Sequence, residues 1–429
     1  MMQPAMQDED QPSALLSPAR PPVWTSPVRS LRHRDFRLFW IGAIVSVIGT
    51  WMQMVAQGWL VLQLTNSAFY LGVVGACGSL PMLLFTLPAG ALADRCSKRN
   101  IVLLTQSLAM LQAFLLAGLI YAGLVRVWHV MLLAAFLGTV NAFDMPTRQA
   151  MVLELVDRED ALNAVSLNSS AFNSGRIVGP AVAGLLIAAA GIAGCFFING
   201  LSFLAIIIAL ALVKPRPPTA SAPGRMLSQI GDGITWAKGS SAALWLLVLT
   251  GISSVFAMPY GTLMPLMARN VFGTGPQGYG FLMSASGAGA LTSALLLTAT
   301  GDRWRLGALT TIGSLFFPIA LISLGLAPNY TSAIFALYFT GVGLMLFNAA
   351  SNTMLQTSAP DSLRGRVLSL RVFVFSGFTP VGNLQIGGIA QHFGSRAALM
   401  TGGAVCLVAA LAALWRGHVV GRHPAAARS

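Results

Sequence analysis

The sequence predicts an all-α membrane protein, twelve transmembrane helices in two pseudo-symmetric six-helix bundles, and three observations carry that prediction. Among 429 residues there are only 26 Lys and Arg and 13 Asp and Glu, while 55% are hydrophobic; a soluble domain carries about a quarter charged residues. The apolar excess is too large for one chain to hide in its own core, so a bilayer is the solvent it implies. Stretches free of Asp, Glu, Lys and Arg are long enough to cross the hydrocarbon core, which takes about 20 residues each. A polar linker then divides these stretches six and six, and the halves share glycines in register.

Taken in order, residues 1–30 hold six prolines and the acidic trio Asp8, Glu9 and Asp10, with no apolar core behind a basic start. They read as a disordered cytoplasmic tail rather than a signal peptide. Spans 1 and 2 lie in 38–93, separated by the breaker Thr65-Asn66-Ser67, and spans 3 and 4 in 100–125 and 127–143. Spans 5 and 6 fill 161–213, interrupted only by Arg176 and divided at Ala190-Gly191. Spans 7 and 8 occupy 239–268 and 270–301, spans 9 and 10 share 306–360 around Pro328-Asn329, and spans 11 and 12 occupy 372–395 and 397–415. The expected organisation is an N-terminal bundle at 31–213, a cytoplasmic linker at 214–238, a C-terminal bundle at 239–416 and a cytoplasmic tail at 417–429. The runs are too long and too uniformly apolar for the alternating segments of a membrane β-barrel.

A net charge of +13 could point to nucleic acid, but such proteins concentrate cations on a polar face that this chain lacks. All but four of the 26 cations fall in the tails or in loops after even-numbered spans, among them Arg32, Arg34, Arg37, Lys98, Arg99, Lys214, Arg303, Arg364 and Arg366. Arg126, Arg269 and Arg396 lie on the other side, and Arg176 within a span. By the positive-inside rule both termini are cytoplasmic. Cys77 and Cys406 lie deep in apolar runs, Cys195 begins another and Cys96 sits in a basic loop, so neither a disulfide framework nor a metal spacing emerges. No metal and no cofactor are expected, nor an obligate protein partner; the partners are a small-molecule substrate and the lipid bilayer.

The halves repeat. An offset of 203 pairs Gly138 with Gly341, Ser166-Leu167 with Ser369-Leu370, and Gly179, Gly184 and Gly191 with Gly382, Gly387 and Gly394; an offset of 208 pairs Gly72 with Gly280 and Asp94-Arg95 with Asp302-Arg303. Two similar bundles joined by a linker imply a substrate site between them near the midplane, with the bundles rocking around it.

The loop after span 2 reads Gly90-Ala91-Leu92-Ala93-Asp94-Arg95-Cys96-Ser97-Lys98-Arg99. It resembles the signature loop of the major facilitator superfamily, G-x-L-x-D-R-x-G-R-K, with Ser97 for the second glycine and Lys98 for the usual arginine. The resemblance implies a conformational switch in which Asp94 meets the start of span 11 and a loop cation, Lys98 or Arg99, meets an acid on span 4, Asp144. Arg95 and Arg148 belong to the same switch. Asp144-Met145-Pro146-Thr147-Arg148, the run Leu153-Glu154-Leu155-Val156, the stretch from Asp157 to Ala164 and the run from Arg32 to Trp40 resemble the enterobactin-exporter branch of that superfamily over residues 31 to about 415. What this implies is secondary active transport, most often efflux.

Span 5 carries Asn173-Ser174-Gly175-Arg176-Ile177-Val178-Gly179-Pro180. Gly175, Gly179 and Ala183 form a small-residue seam for close helix packing. Pro180 has no N–H and frees the carbonyl four residues back, that of Arg176. A cation at such depth costs at least about 2.5 kcal/mol on insertion scales, so Arg176 either faces a wet cavity or is satisfied within its own bundle by groups such as Asn173. An unpaired guanidinium would favour a carboxylate or catecholate. Asp144, near the cytoplasmic edge, is either a titrating group for proton coupling or a fixed partner of the loop cations; a driving ion gradient is expected. Gln53 and Gln57 on span 1 and Asn348, Asn352 and Gln356 on span 10 form polar stripes that line a cavity or bond between helices. Trp51, Met52, Trp59, Met258 and Tyr260 could pad a site for amphipathic cargo.

An intramembrane enzyme would need convergent nucleophile, base or metal ligands, yet His33, His129, His392, His418 and His423 lie in loops, tails or span ends, and neither HExxH nor GxSxG occurs. A channel would show a repeated filter or charged ring. The expectation is therefore a twelve-span transporter of a bacterial cytoplasmic (inner) membrane, exporting a small amphipathic or anionic compound such as a siderophore or drug, with an importer of the same fold as the alternative.

Overall fold

The computed structural model describes residues 27–213, 226–300, 306–360 and 363–416. Among these residues eleven helical stretches are long and apolar enough to cross a membrane. One of them, Arg158–Leu212, runs for 55 residues and leaves helical geometry at Gly191, where φ is 72°, a conformation open to a residue without Cβ. It holds spans 5 and 6, which brings the crossings to twelve.

Span 1 is Arg34–Thr65, closed by Asn66 in the left-handed region; span 2 is Ala68–Arg95, with the Ser67 hydroxyl accepting from the Tyr70 amide as an N-cap. Spans 3 and 4 are Lys98–Tyr121 and Val127–Glu154. Span 7 is Ser241–Val271, span 8 Pro276–Ala299 and span 9 Leu306–Leu326. Span 10 is Tyr330–Ser358, where the Asn329 side chain accepts the Ser332 amide at 2.9 Å. Span 11 is Arg364–Phe393 and span 12 Ser395–Trp415. Large apolar side chains such as Leu104, Leu132, Ile208, Leu295 and Val408 stand exposed on spans 3, 4, 6, 8 and 12, as hydrocarbon permits and water does not.

Within the first half span 1 packs on the span 5–6 helix and span 2 on span 4; within the second half span 9 packs on spans 10 and 12, and span 10 on span 8. The halves meet where span 2 lies against span 11 and the span 5–6 helix against span 8. At the first contact a Cβ on Gly387 would sit 3.0 Å from Gly72 Cα; at the second a Cβ on Gly280 would sit 3.1 Å from Gly184 Cα. The sequence offsets convert one pair into the other: 208 takes Gly72 to Gly280, and 203 takes Gly184 to Gly387. The repeated glycines are thus the points where the bundles touch, placed about a pseudo-two-fold axis. Around them the Ser67 hydroxyl donates to Gln391 Oε1 at 2.8 Å, Trp59 stacks on Tyr279 at 6.2 Å between ring centroids, and the Ser284 hydroxyl donates to the Ile177 carbonyl at 2.7 Å. These contacts run from the end away from the termini to the middle of the molecule.

One expectation needs correction. Residues 27–30, expected in a disordered tail, are ordered, and Arg29–Arg32 is a turn of 3-10 helix. Part of the linker expected at 214–238 is a helix, Met226–Gly239, whose Trp236 and Ala237 pack among Leu246, Leu247, Leu355, Val367 and Leu370, apolar partners that local composition does not reveal. The remainder of both segments, and residues 417–429, lie outside the described residues.

Candidate functional site

Arg176 lies fifteen residues after Ala161, the first residue of the span 5 helix, about 22 Å along its axis. Two faces of this helix are fixed by its glycines. Gly175 and Gly179 face span 1, where a Cβ on Gly179 would lie 2.5 Å from Trp51 Cβ and 2.8 Å from the Ile48 carbonyl oxygen. Pro180 and Gly184 face span 8. The carbonyl freed by Pro180 does not open into a cavity: it abuts span 8 at Gly287, where a Cβ would lie 2.7 Å from the Arg176 carbonyl oxygen. The half-buried Arg176 side chain has no carboxylate within 4.0 Å among the described residues, and Asn173 donates to the Ser169 carbonyl at 2.9 Å within its own helix.

A helical, half-buried cation escaped the sequence reading. Arg371 follows the loop after span 10 closely and was counted with its cations, yet it lies seven residues inside Arg364–Phe393. Its Nη2 donates to the Asn348 carbonyl and Oδ1, each at 3.1 Å, and to the Ser351 hydroxyl at 3.4 Å, while its Nε is buried without a partner. Asn348, singled out on its stripe, therefore serves Arg371. Gln57 and Asn352 are half-buried.

The loop cations have other partners than expected. Lys98, buried, pairs with Glu154 rather than Asp144, at 2.6 Å; lysine's flexible point charge reaches the acid at the end of span 4, nearer its own helix start. Arg99 is no substitute, because it donates to the Leu210 and Ala211 carbonyls at 2.6 and 3.2 Å and closes the end of span 6. Asp144 lies ten residues before the end of Val127–Glu154, about 15 Å along the helix axis. There it receives Arg148 Nη2 at 2.8 Å, the Thr105 hydroxyl at 2.7 Å and Gln106 Nε2 at 2.8 Å. Gly90 is helical and half-buried; the side chains of Asp94 and Arg95 lie outside the described residues.

Gln53 is also corrected. At 3% exposure it faces the interior of the first bundle, donating to Gln112 Oε1 at 2.9 Å and accepting from Asn199 Nδ2 at 2.6 Å. Helical spacing cannot distinguish that face from a cavity face. A groove of about 460 Å³ lined by Phe114, Ala117, Gly118, Tyr121 and Phe197 is apolar and lies between spans 3 and 6.

The motifs around Arg32 and Asp157 meet in space. Asp160, 1% exposed at its side chain, pairs with Arg29 Nε at 2.7 Å, Arg32 Nη2 at 2.9 Å and His33 Nε2 at 2.7 Å. Burial pushes the carboxyl up, but the His33 hydrogen bond and the charges of Arg29, Arg32 and His33 outweigh it and hold it below the ordinary carboxylate value. The Ser30 amide donates to Asn163 Oδ1 at 2.9 Å, and Trp40 Nε1 to the Leu167 carbonyl at 3.0 Å. The chain before span 1 is thereby clasped to the start of span 5.

Among the described residues the arrangement brings together no group of three or more His, Cys, Asp and Glu side chains that could hold a metal ion. Several known proteins resemble this chain. The staphyloferrin A transporter of Staphylococcus aureus is 26% identical over 365 residues, covering 83% of this chain and 90% of that protein. The multidrug efflux pump Tap of Mycolicibacterium fortuitum is 26% identical, covering 85% and 91%. A bacterial homolog of the human lysosomal transporter Spinster, in an inward-facing and unoccupied conformation, shares the fold with a TM-score of 0.73 at 14% identity, covering 92% of this chain and 98% of that one. A D-xylose-proton symporter matches with a TM-score of 0.69 at 16% identity, covering 91% and 98%. The model for transmembrane secretion effectors matches residues 25–422. The chain is a multi-pass membrane transporter of small molecules and not an enzyme: it belongs to the transmembrane secretion effector family of the major facilitator superfamily.

Proposed function

We propose that the protein is a secondary active exporter of the bacterial cytoplasmic membrane, with both termini in the cytoplasm, that moves a small amphipathic or anionic compound, siderophore- or drug-like, by alternating access. Arg176 carries this reading: a guanidinium at mid-membrane with no carboxylate within 4.0 Å among the described residues attracts an anionic group, and binding there offsets the cost of burying the charge. The names of the relatives support export of siderophore- or drug-like cargo. With the termini inside, the contacts around Gly72 and Gly280 close the outer face. An ion gradient supplies the energy. Three donors converge on Asp144, which favours a fixed anion that braces the first bundle over a titrating site; Asp144→Asn is then expected to leave dependence on a pH gradient intact.

The experiment is accumulation of a compound panel in cells with and without the protein. Export predicts lower accumulation of anionic amphipathic members in producing cells. Higher accumulation would reverse the direction, and reconstituted vesicles that conduct ions without saturable solute flux would sink the transporter mechanism.

A further inference from the structure

We propose that the anionic group of the cargo is carried directly on an aromatic ring, as in an aryl carboxylate, and that Trp51 and Phe172 hold the ring while Arg176 takes the charge. The proposal rests on the anionic reading of Arg176 and names a substrate class for it. Trp51 on span 1 and Phe172 on span 5 meet edge to face, with ring centroids 5.5 Å apart and planes at 70°. Phe172 precedes Arg176 by four residues in one continuous stretch of helix, so the two side chains leave the same flank about 6 Å apart. Side chains on a helix lean toward its N-terminus, which carries the guanidinium back to the level of Phe172.

All three side chains face the wedge between the bundles. At about 100° per residue, Arg176 lies about 80° round its helix from the face that Gly175 and Gly179 set against span 1, and about 60° from the face that Pro180 and Gly184 set against span 8. Phe172 falls between the same two faces. Trp51 stands seven residues before Gly58, two turns along the same face of span 1. Gly58 is a point where span 1 touches the second bundle, since a Cβ there would lie 3.0 Å from the Tyr279 hydroxyl and 3.2 Å from Pro265 Cγ. Trp51 therefore looks toward the second bundle from below that contact, on the side of the termini. It is half-buried and Phe172 is 43% exposed, so each ring keeps free surface. The corner they form lets a third ring stack on one and meet the edge of the other, with a carboxylate one bond away turned to the guanidinium fork. A saturated ring of the same size and charge makes neither ring contact, so the corner selects aromatic anions.

The test uses the full chain in nanodiscs and isothermal titration with benzoate and cyclohexanecarboxylate, which match in charge and ring size and differ in aromaticity. The wild type is expected to bind benzoate about 3- to 10-fold more tightly, the range for a ring–ring contact beyond apolar area. Phe172→Leu keeps apolar bulk and is expected to bring the two acids within about twofold of each other, whereas Phe172→Tyr keeps the ring and the preference. Trp51→Leu is expected to act as Phe172→Leu does; because Trp51 also packs on Gly175 and Gly179, the exposed Phe172 decides if that variant does not fold. Arg176→Gln is expected to weaken both acids by about 10-fold or more. Equal binding of the two acids by the wild type, or an unchanged preference in folded Phe172→Leu, with both acids still dependent on Arg176, overturns this proposal alone. Failure of the wild type to bind either acid, or binding indifferent to Arg176, overturns the anionic reading and this proposal with it.

Discussion

Gly280 offers the most direct mechanical perturbation. In the structure its Cα faces the Pro180 carbonyl oxygen and Gly184, and a Cβ would stand 3.1 Å from Gly184 Cα and 3.2 Å from its nitrogen, with the Pro180 oxygen closer still. The colliding atoms are backbone, so no side chain can rotate away and the helices must separate. Overpacking of this kind costs about 1–3 kcal/mol. The cost falls on the state in which the far end is closed and is relieved when the bundles part there, so about 2 kcal/mol in Gly280→Val shifts the closed-to-open ratio by about 30-fold. A thiol pair at Ser67 and Gln391, whose side chains are hydrogen-bonded at 2.8 Å, reports that state once Cys77, Cys96, Cys195 and Cys406 are replaced. A short bifunctional thiol reagent should cross-link the Gly280 parent readily and the valine variant poorly, with transport lost. Gly72→Val should behave alike, because the repeat gives it the same role against Gly387. Undiminished cross-linking with normal transport in both variants would refute the glycine contacts as the closing surface.

Asp160→Asn removes the charge held by Arg29, Arg32 and His33; with Arg32 more than half exposed and free to rehydrate, a loss of about 2 kcal/mol is expected. Hydrogen exchange at residues 27–33 and 157–165 should quicken about 30-fold with the other helices unchanged. Because the Asp160 carboxyl is held below its ordinary value of 3.8, the clasp is intact above that pH and is lost as pH falls below it through the depressed value, a loss that Asp160→Asn should abolish. Lys98→Met leaves Glu154 without its partner and should lower thermal stability by about 1–2 kcal/mol, while the double exchange Lys98→Glu with Glu154→Lys should recover part of it. Gln53→Leu strands the Gln112 and Asn199 amides and should cost about 1–3 kcal/mol in unfolding without altering KM, whereas altered KM at unchanged stability would return Gln53 to the cavity.

The crossings were legible because hydropathy and turn chemistry are local: Asn66 and Asn329 cap or break helices where their sequence contexts place them, and Gly191 turns the chain at positive φ. The repeat was legible at a distance because two backbones that touch tolerate only glycine, which leaves the same mark in both halves at Gly72 and Gly280. Side-chain partners were less legible. Lys98 had two acids within plausible reach, and which one it takes depends on the height of Asp144 within its helix. Gln53 shows the limit of periodicity, since one stripe can face a bundle interior or a cavity. Arg371 escaped because charge marked a loop, and only the course of span 11 shows it to be inside. The clasp at Asp160 joins two motifs about 130 residues apart, a separation that no local pattern bridges.

The central claim, that the mid-membrane guanidinium of Arg176 receives anionic cargo, is tested most directly by Arg176→Ala in cells exposed to the anionic compound that the wild type excludes most strongly. The account predicts that exclusion disappears while membrane insertion, expression and Ser67–Gln391 cross-linking stay near wild type. Exclusion that persists, or protein that fails to fold, would contradict it and make Arg176 a structural group.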